Sequence, residues 1–281
     1  MKKSTIKSAI IIFAISVLIF NSCEKEKNNY SILSAQDNAF ANNIFDDVYS
    51  QVDEASKSTD SELFDSSSFK ITDTGGCVTI SITPFDISTW PKYLTIDYGN
   101  SNCLCTDLNY RRGKIVAELS DRYRNVGATH IITFDDYYVN DNHVEGTKTI
   151  INNGENQDGN LYFTVIVSNA KITKVDSSVI LWEADRIREW INGESTILWI
   201  WDDEYLVSGI SSGTNTNNEE FTITITQDLD IILSCTWIRS GSLNIDVDNG
   251  TPTISVDYGT GDCDANATAI IDGNSYSFIM N

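Results

Sequence analysis

The feature that most constrains the fold is an alternation of apolar and polar side chains that recurs from residue 69 onwards. Val78–Thr83 and Phe221–Thr226 alternate cleanly, and Leu161–Val167 is apolar on both faces. Alternation places every second side chain on the same face of an extended chain, so it predicts β-strands with one buried face. Similar runs occur at residues 93–97, 114–119, 130–138, 143–151, 179–190, 229–237, 253–258, 267–271 and 275–280.

The connections between these runs are too short for crossover helices, which favours antiparallel neighbours. Asp272-Gly273 is typical of a type I′ hairpin turn, and a second tight turn is predicted at residues 140–143. The prediction is an all-β domain over residues 69–281, built as an antiparallel meander of long hairpins. A two-residue period shows which side chains share a face of a strand, but it does not show whether the sheet closes on itself. An open sheet, a sandwich and a barrel therefore all remain as possible architectures.

One segment has a helical period instead. Phe40, Ile44, Val48 and Val52 recur at four-residue intervals, which predicts an amphipathic helix within residues 35–57. Such a helix packs on the β domain, stands as a stalk or binds a partner. Residues 23–34 are polar and are predicted to be a tether, and the serine-rich residues 58–68 are predicted to be a linker.

The N-terminus has the order of a bacterial export signal. Lysines at positions 2, 3 and 7 precede an apolar run over residues 9–20, and Ser22 stands before Cys23. This arrangement resembles the lipobox of lipoproteins. The resemblance implies that residues 1–22 are removed and that lipid, including palmitate, is attached at Cys23. The alternative is a plain secretory signal without lipid attachment. The run is shorter than the roughly 20 residues that span a bilayer, so the lipid is the expected membrane attachment. The expected location is the outer membrane, on either its periplasmic or its cell-surface side.

Two copies of an Asp-Tyr-Gly motif followed by cysteine suggest two equivalent disulfides. Asp97-Tyr98-Gly99 precedes Cys103, and Asp257-Tyr258-Gly259 precedes Cys263. Each copy has one cysteine upstream, and disulfides persist in exported proteins. The predicted pairs are Cys77–Cys103 and Cys235–Cys263, which leave Cys105 over; the rival for the first pair is Cys77–Cys105.

The chain also resembles a family of Bacteroidota lipoproteins without an assigned activity. The segments that carry the resemblance, with the cysteine motif above, are residues 111–115, 133–140, 144–149 and 182–190. The resemblance implies export, lipidation and a β-rich fold. It implies no activity and no catalytic residues.

The charge of the chain argues against nucleic acid as a partner. Removing residues 1–22 takes away three lysines and no acids, so 16 basic and 40 acidic residues remain, a net charge of −24. Such a field repels phosphate backbones. An acidic surface is also what keeps many exported proteins soluble.

Motifs for catalysis or metal binding are weak. The only histidines are His130 and His143, and no Gly-x-Ser-x-Gly elbow is present. Cys103 and Cys105 lie too close in sequence for a common zinc pair. The acidic and amide-rich segments 152–160, 202–204 and 246–250 do not fit the twelve-residue calcium loop and are typical of turns. We therefore expect no catalytic residue, no metal and no cofactor.

The most unusual segment lies between residues 182 and 201. In a strand, Trp182, Arg186, Arg188 and Trp190 share one face. With Trp199 and Trp201 they are candidate ligand-binding residues for a sugar, and Glu183 and Glu189 are candidate glycosidase carboxylates. The competing interpretation is ordinary cross-strand packing.

Two functions follow from the sequence. The first is a lipid-anchored envelope protein with a non-catalytic binding or structural role, whose partner is another envelope protein or a glycan. The alternative is a carbohydrate-binding or carbohydrate-active surface protein that uses the region from Trp182 to Trp201.

Overall fold

A computed structural model describes residues 31–60, 77–86, 88–196 and 199–280. The signal segment 1–22, Cys23 with most of the tether, and the linker beyond residue 60 lie outside the described residues. Within the described ranges, no helix combines the length and the apolar character that crossing a membrane requires.

Among the described residues, one helix precedes fourteen strands. Helix α1 is Leu33–Asp60. The strands are β1 Thr79–Thr83, β2 Lys92–Asp97, β3 Cys103–Leu104, β4 Tyr110–Leu119, β5 Thr129–Val139, β6 Asn142–Glu155, β7 Leu161–Thr173, β8 Val179–Asn192, β9 Glu204–Thr214, β10 Glu220–Ile232, β11 Ser240–Val247, β12 Ile254–Thr260, β13 Asn266–Ile271 and β14 Asn274–Ile279. The predicted helix is thus confirmed and extends further in both directions.

The strands form a single antiparallel meander sheet. Each strand pairs with the next along the chain, except that β2 pairs with β4 and the short β3 adds to β4 outside this path. Strands β1 and β14 are the two ends of the order, so the sheet is open. The predicted all-β meander is confirmed, and of the three closures left open by the sequence the structure has the open sheet.

The sheet curves around helix α1. The helix contacts β2, β4, β8 and β11, strands that lie far apart in the sheet order. Its side chains are buried around more than half of the helix circumference, including Ala39, Ile44, Phe45 and Tyr49. A helix lying on a flat sheet would bury one stripe only. The helix is therefore the core of the fold, and of its three expected roles the structure shows packing on the β domain.

Several strands differ from their prediction, among them β10 and β11. Residues 221–226 and 229–237 were expected to be separate strands, but β10 runs through both as far as Ile232, with a register shift between Thr224 and Leu229. The polar residues in that shift interrupt the alternation without ending the strand. Strand β11 was not predicted, because its alternating Leu243 and Ile245 are embedded in serine, asparagine and aspartate.

Two disulfides lie towards the two ends of the sheet order. Cys77–Cys103 and Cys235–Cys263 have Cα–Cα distances of 5.9 and 5.8 Å. Both predicted pairs are confirmed over the rival pairing. Cys105 is buried and lies outside both bridges, with its Sγ 3.7 Å from the carbonyl oxygen of Cys103.

Candidate functional site

The inner face of β8 carries four of the predicted ligand-binding residues. Trp182, Arg186, Arg188 and Trp190 share one face, as expected, and each is at most 5% exposed. The indole of Trp182 donates a hydrogen bond to Asn38 Oδ1 on the helix, at 3.1 Å. These four side chains contact the interior of the fold and not solvent.

The other predicted residues lie elsewhere. Trp199 and Trp201 are 59% and 40% exposed on the connection between β8 and β9, so the structure does not bring all six residues together. Glu183 Oε1 accepts a hydrogen bond from the backbone of Asn169, and Glu189 Oε1 accepts two from the side chains of Asn156 and Asn160. Glu183 thus contacts the irregular part of β7, and Glu189 holds the loop between β6 and β7, both on the outer face.

A charged cluster joins the helix to β6 and β8. Arg188 Nη2 donates to Asp46 Oδ1 at 3.0 Å, and Lys148 Nζ donates to the carbonyl oxygen of Phe45 at 2.9 Å and lies 3.4 Å from Asp46 Oδ1. Burial alone would raise the pKa of Asp46, but the charges of Lys148, Arg188 and Arg186 outweigh it and hold that pKa below its usual value. Burial lowers the pKa of Lys148 to about 7.

A second charged cluster joins the helix to β4. Arg111 is fully buried, and its Nη2 donates to both carboxylate oxygens of Asp47, at 2.8 and 2.7 Å. The same guanidinium also binds Asp107, with an Nη2–Oδ2 distance of 2.6 Å. Burial raises the pKa of Asp47 despite the opposing charge of Arg111, so this carboxylate depends on its arginine to remain charged.

Three tyrosines close the interior further along the helix. The hydroxyl of Tyr49 donates to that of Tyr123 at 2.8 Å and lies 3.3 Å from that of Tyr205. Burial raises the pKa of Tyr49 well above its usual value. A phenol in this state stays protonated, so the cluster packs and hydrogen-bonds and offers no nucleophile.

The outer face carries a continuous line of apolar side chains, which we call the outer-face belt. Its members are Tyr93, Val116, Ile131, Ile151, Ile166, Ile187 and Ile210, one each from β2 and from β4 through β9. In the register, Ile166 lies opposite Asp185 and Thr164 opposite Ile187, so Ile166 and Ile187 are diagonal neighbours. Diagonal neighbours are about 7–8 Å apart, within reach of one another.

The belt is exposed and acidic at its margins. Its tyrosine and four of its isoleucines are between 37% and 56% exposed. Glu118 and Asp185 stand in the same register row as Ile131, Ile166 and Ile210. These isoleucines are far apart in the sequence, and only the pairing register between the strands brings them into one line.

The nearby lysines do not neutralise this acidic margin. Lys114 lies 3.9 Å from Asp97 and 3.6 Å from Asp135, and Lys171 lies 2.8 Å from Glu145. Each outward lysine is thus already near a carboxylate, and the surplus on this face is negative.

Loops rich in amides and carboxylates are held by their own backbone. Asn156 Oδ1 accepts hydrogen bonds from the backbone of Asp158 and Asn160, each at 3.0 Å. In the part of the chain that the structure describes, no three His, Cys, Asp or Glu side chains are grouped as a metal site.

No protein-family model, no curated protein and no solved structure matches this chain. A role for the chain therefore has to be inferred from its own residues.

Proposed function

We propose that this chain is a lipid-anchored protein of the bacterial outer membrane, akin to the Bacteroidota lipoproteins it resembles, that binds another protein and catalyses no reaction. The observation that carries the proposal is the outer-face belt. Contiguous exposed apolar side chains on a soluble domain are typical of interaction sites.

The filled interior of the fold supports a binding role for the outer face of the sheet. The concave face of the sheet is occupied by helix α1, and the cavity beside Asp46 has room for about one water molecule. A substrate of ordinary size has no place there. Binding is therefore assigned to the outer face, where Ile187 and Ile210 are exposed.

Charge indicates the chemistry of the partner. The belt is flanked by Glu118, Glu183 and Asp185, and the chain as a whole is strongly acidic. Opposite charges across an interface speed association and select partners. The partner that fits is a protein with an apolar strip bordered by lysine and arginine. Anionic lipid headgroups are repelled by the same surface.

Site-specific photocrosslinking in living cells tests this role. A photoreactive residue at position 187 or 210 is compared with one at Ser255 or Ser277, which lie on the same face beyond the belt. We expect one recurrent protein with a basic surface to crosslink from the belt positions, and Ile166→Asp to abolish the adduct. Equal adducts from all four positions, or none from the belt, would contradict the proposal.

The anchor is tested separately. Cys23→Ser is expected to move the protein from the membrane fraction to the soluble fraction, with Cys105→Ser as the matched control. Retention of the Cys23→Ser variant in washed membranes would show that lipid at Cys23 is not the attachment. This result would leave the binding role of the belt intact.

A carbohydrate-binding role is the second candidate. Trp199 and Trp201 are exposed close together, and exposed tryptophans stack well on sugar rings. Binding of the protein to a glycan array, lost in Trp199→Ala and Trp201→Ala but kept in Ile187→Asp, would favour this candidate over protein binding.

A further inference from the structure

The cavity between helix α1 and the sheet is lined by an unusual set of charges. It measures about 10 Å³, which is the space for about one water-sized sphere. Its polar lining consists of Asp46 from the helix, Lys148 from β6, and Arg186 and Arg188 from β8. The remaining lining is apolar and comprises Val165, Val167, Trp182, Ala184, Val207 and Ile231.

The lining has more positive than negative charge. With Lys148 protonated, three cations face the single carboxylate of Asp46. Arg186 donates to Asn42 Oδ1 and, at 3.2 Å, to Ser211 Oγ, both neutral oxygens. Among the described residues, no carboxylate forms an ion pair with Arg186. A buried cation without a counter-charge is costly, so the cluster favours an added negative charge.

The arginines also have unused hydrogen-bond donors. Arg186 Nε, Arg188 Nε and Arg188 Nη1 are buried and have no hydrogen-bond partner in the described part of the chain. Arg188 as a whole is 97% buried, since its exposed fraction is 3%. A guanidinium is a donor only, so its partner must be an acceptor.

We propose that this cavity is a binding site for one halide-sized monovalent anion, with chloride as the ligand. Chloride supplies the missing negative charge and accepts hydrogen bonds from several directions. It is somewhat larger than the water molecule that the cavity admits, so its binding requires a small outward shift of the lining side chains. Sulfate, phosphate and carboxylates are too large for this space.

The bound anion connects two strands of the sheet. Lys148 comes from β6 and Arg186 and Arg188 come from β8, so an anion held among them links these strands, while the Asp46 carboxylate on α1 stays paired with Lys148 and Arg188. Lys148 faces Asp46 and the ring of Tyr49 on the helix, and Arg186 and Arg188 on β8. An anion beside Lys148 favours its protonated form, so binding is expected to be tighter below the lysine pKa of about 7.

Thermal unfolding of the full-length protein in detergent tests the site. Sodium chloride is compared with sodium gluconate at equal ionic strength, at pH 6 and pH 9. We expect chloride to raise Tm saturably, by about 3–5 °C at ten times its Kd, and more at pH 6 than at pH 9. Equal Tm values in the two salts would overturn the proposal.

A matched pair of variants assigns the effect to the cavity. Lys148→Met should abolish the difference between chloride and gluconate, whereas Lys171→Met on β7, an exposed lysine, should keep it. An unchanged chloride effect in Lys148→Met would count against the site.

A crystallographic measurement needs no variant, so it decides the question even if Lys148→Met fails to fold. Crystals of the protein grown in sodium bromide should show an anomalous peak within hydrogen-bond distance of Arg188 Nη1 or Arg186 Nε. Bromide bound only at the protein surface would overturn the proposal.

Discussion

Asp46 and Asp47, adjacent on helix α1, each bind a buried arginine from a different part of the sheet. Asp46 accepts from Arg188 on β8 at 3.0 Å, and Asp47 accepts from Arg111 on β4 at 2.7 Å. Successive residues of a helix point about 100° apart. The two ion pairs are therefore compatible only with a sheet that curves around the helix, and together they fix the rotation of the helix within it.

Arg111→Met is expected to destabilise the fold strongly. The variant leaves Asp47 buried without its counter-charge, and breaking such a buried pair costs about 3–5 kcal/mol. The measurement is the free energy of unfolding in urea. Arg112→Met is the control, because Arg112 is partly exposed and pairs with the exposed Asp141. A loss for Arg111→Met no larger than that for Arg112→Met would contradict the role of the pair.

His130 is expected to make the protein sensitive to acid. Burial lowers the pKa of His130 to about 4, so between about pH 4 and 6.5 the unfolded chain binds a proton that the folded chain does not. Stability therefore falls as pH decreases through this window, by about 3 kcal/mol in all. His130→Gln should reduce the difference in unfolding free energy between pH 7 and pH 4.5. His143→Gln, at a partly exposed position near the start of β6, should retain it. Equal pH profiles for the two variants would argue against this assignment.

Loss of the second disulfide is expected to weaken the sheet at its C-terminal end. Cys235–Cys263 spans a sequence separation of 28 residues, and in the chain-entropy model such a bridge contributes about 3–4 kcal/mol. The double variant Cys235→Ser/Cys263→Ser should lower the free energy of unfolding by that amount. Under reducing conditions, which also open Cys77–Cys103, the wild type and the variant should become equal in stability. A wild type whose stability does not respond to reductant would show that the bridge contributes little.

Gly113 is expected to tolerate no side chain. Its φ is +79°, and a Cβ there would collide with the backbone carbonyl of Asp136 on β5. Gly99 has a nearly identical φ of +76°, but nothing lies within 4 Å of its Cβ position. Both alanine variants bear the cost of a left-handed conformation, about 1–2 kcal/mol, and Gly113→Ala should cost about 2 kcal/mol more because of the contact. Similar Tm losses for the two variants would refute the contact as the cause.

Local patterns were sufficient for most of the fold. The alternation at Val78–Thr83 and the four-residue spacing of Phe40, Ile44 and Val48 predicted their elements correctly, because these periods follow from strand and helix geometry. The repeated cysteine motif predicted both disulfide pairs. Prediction failed at β11 and within β10, where polar residues interrupt the pattern and pairing with neighbouring strands maintains the strand.

The candidate sites were harder to predict. Trp182 and Arg186 were recognised as sharing a face, but the sequence does not say whether that face meets solvent or a helix. Lys148 and Asp46 lie 102 residues apart, and nothing in either local sequence connects them. The outer-face belt likewise depends on the pairing register between strands.

The sequence by itself determined the meander, the helix, the two bridges and which side chains share a face, since these depend on contacts between near neighbours or on repeated motifs. Only the tertiary structure decided that the sheet stays open and curves around the helix, that Arg186 and Arg188 are buried beneath it, and that Ile166 and Ile187 join a line on the outside. The physical reason is that curvature and register arise from the summed packing of many strands against one helix, and no single segment encodes that sum.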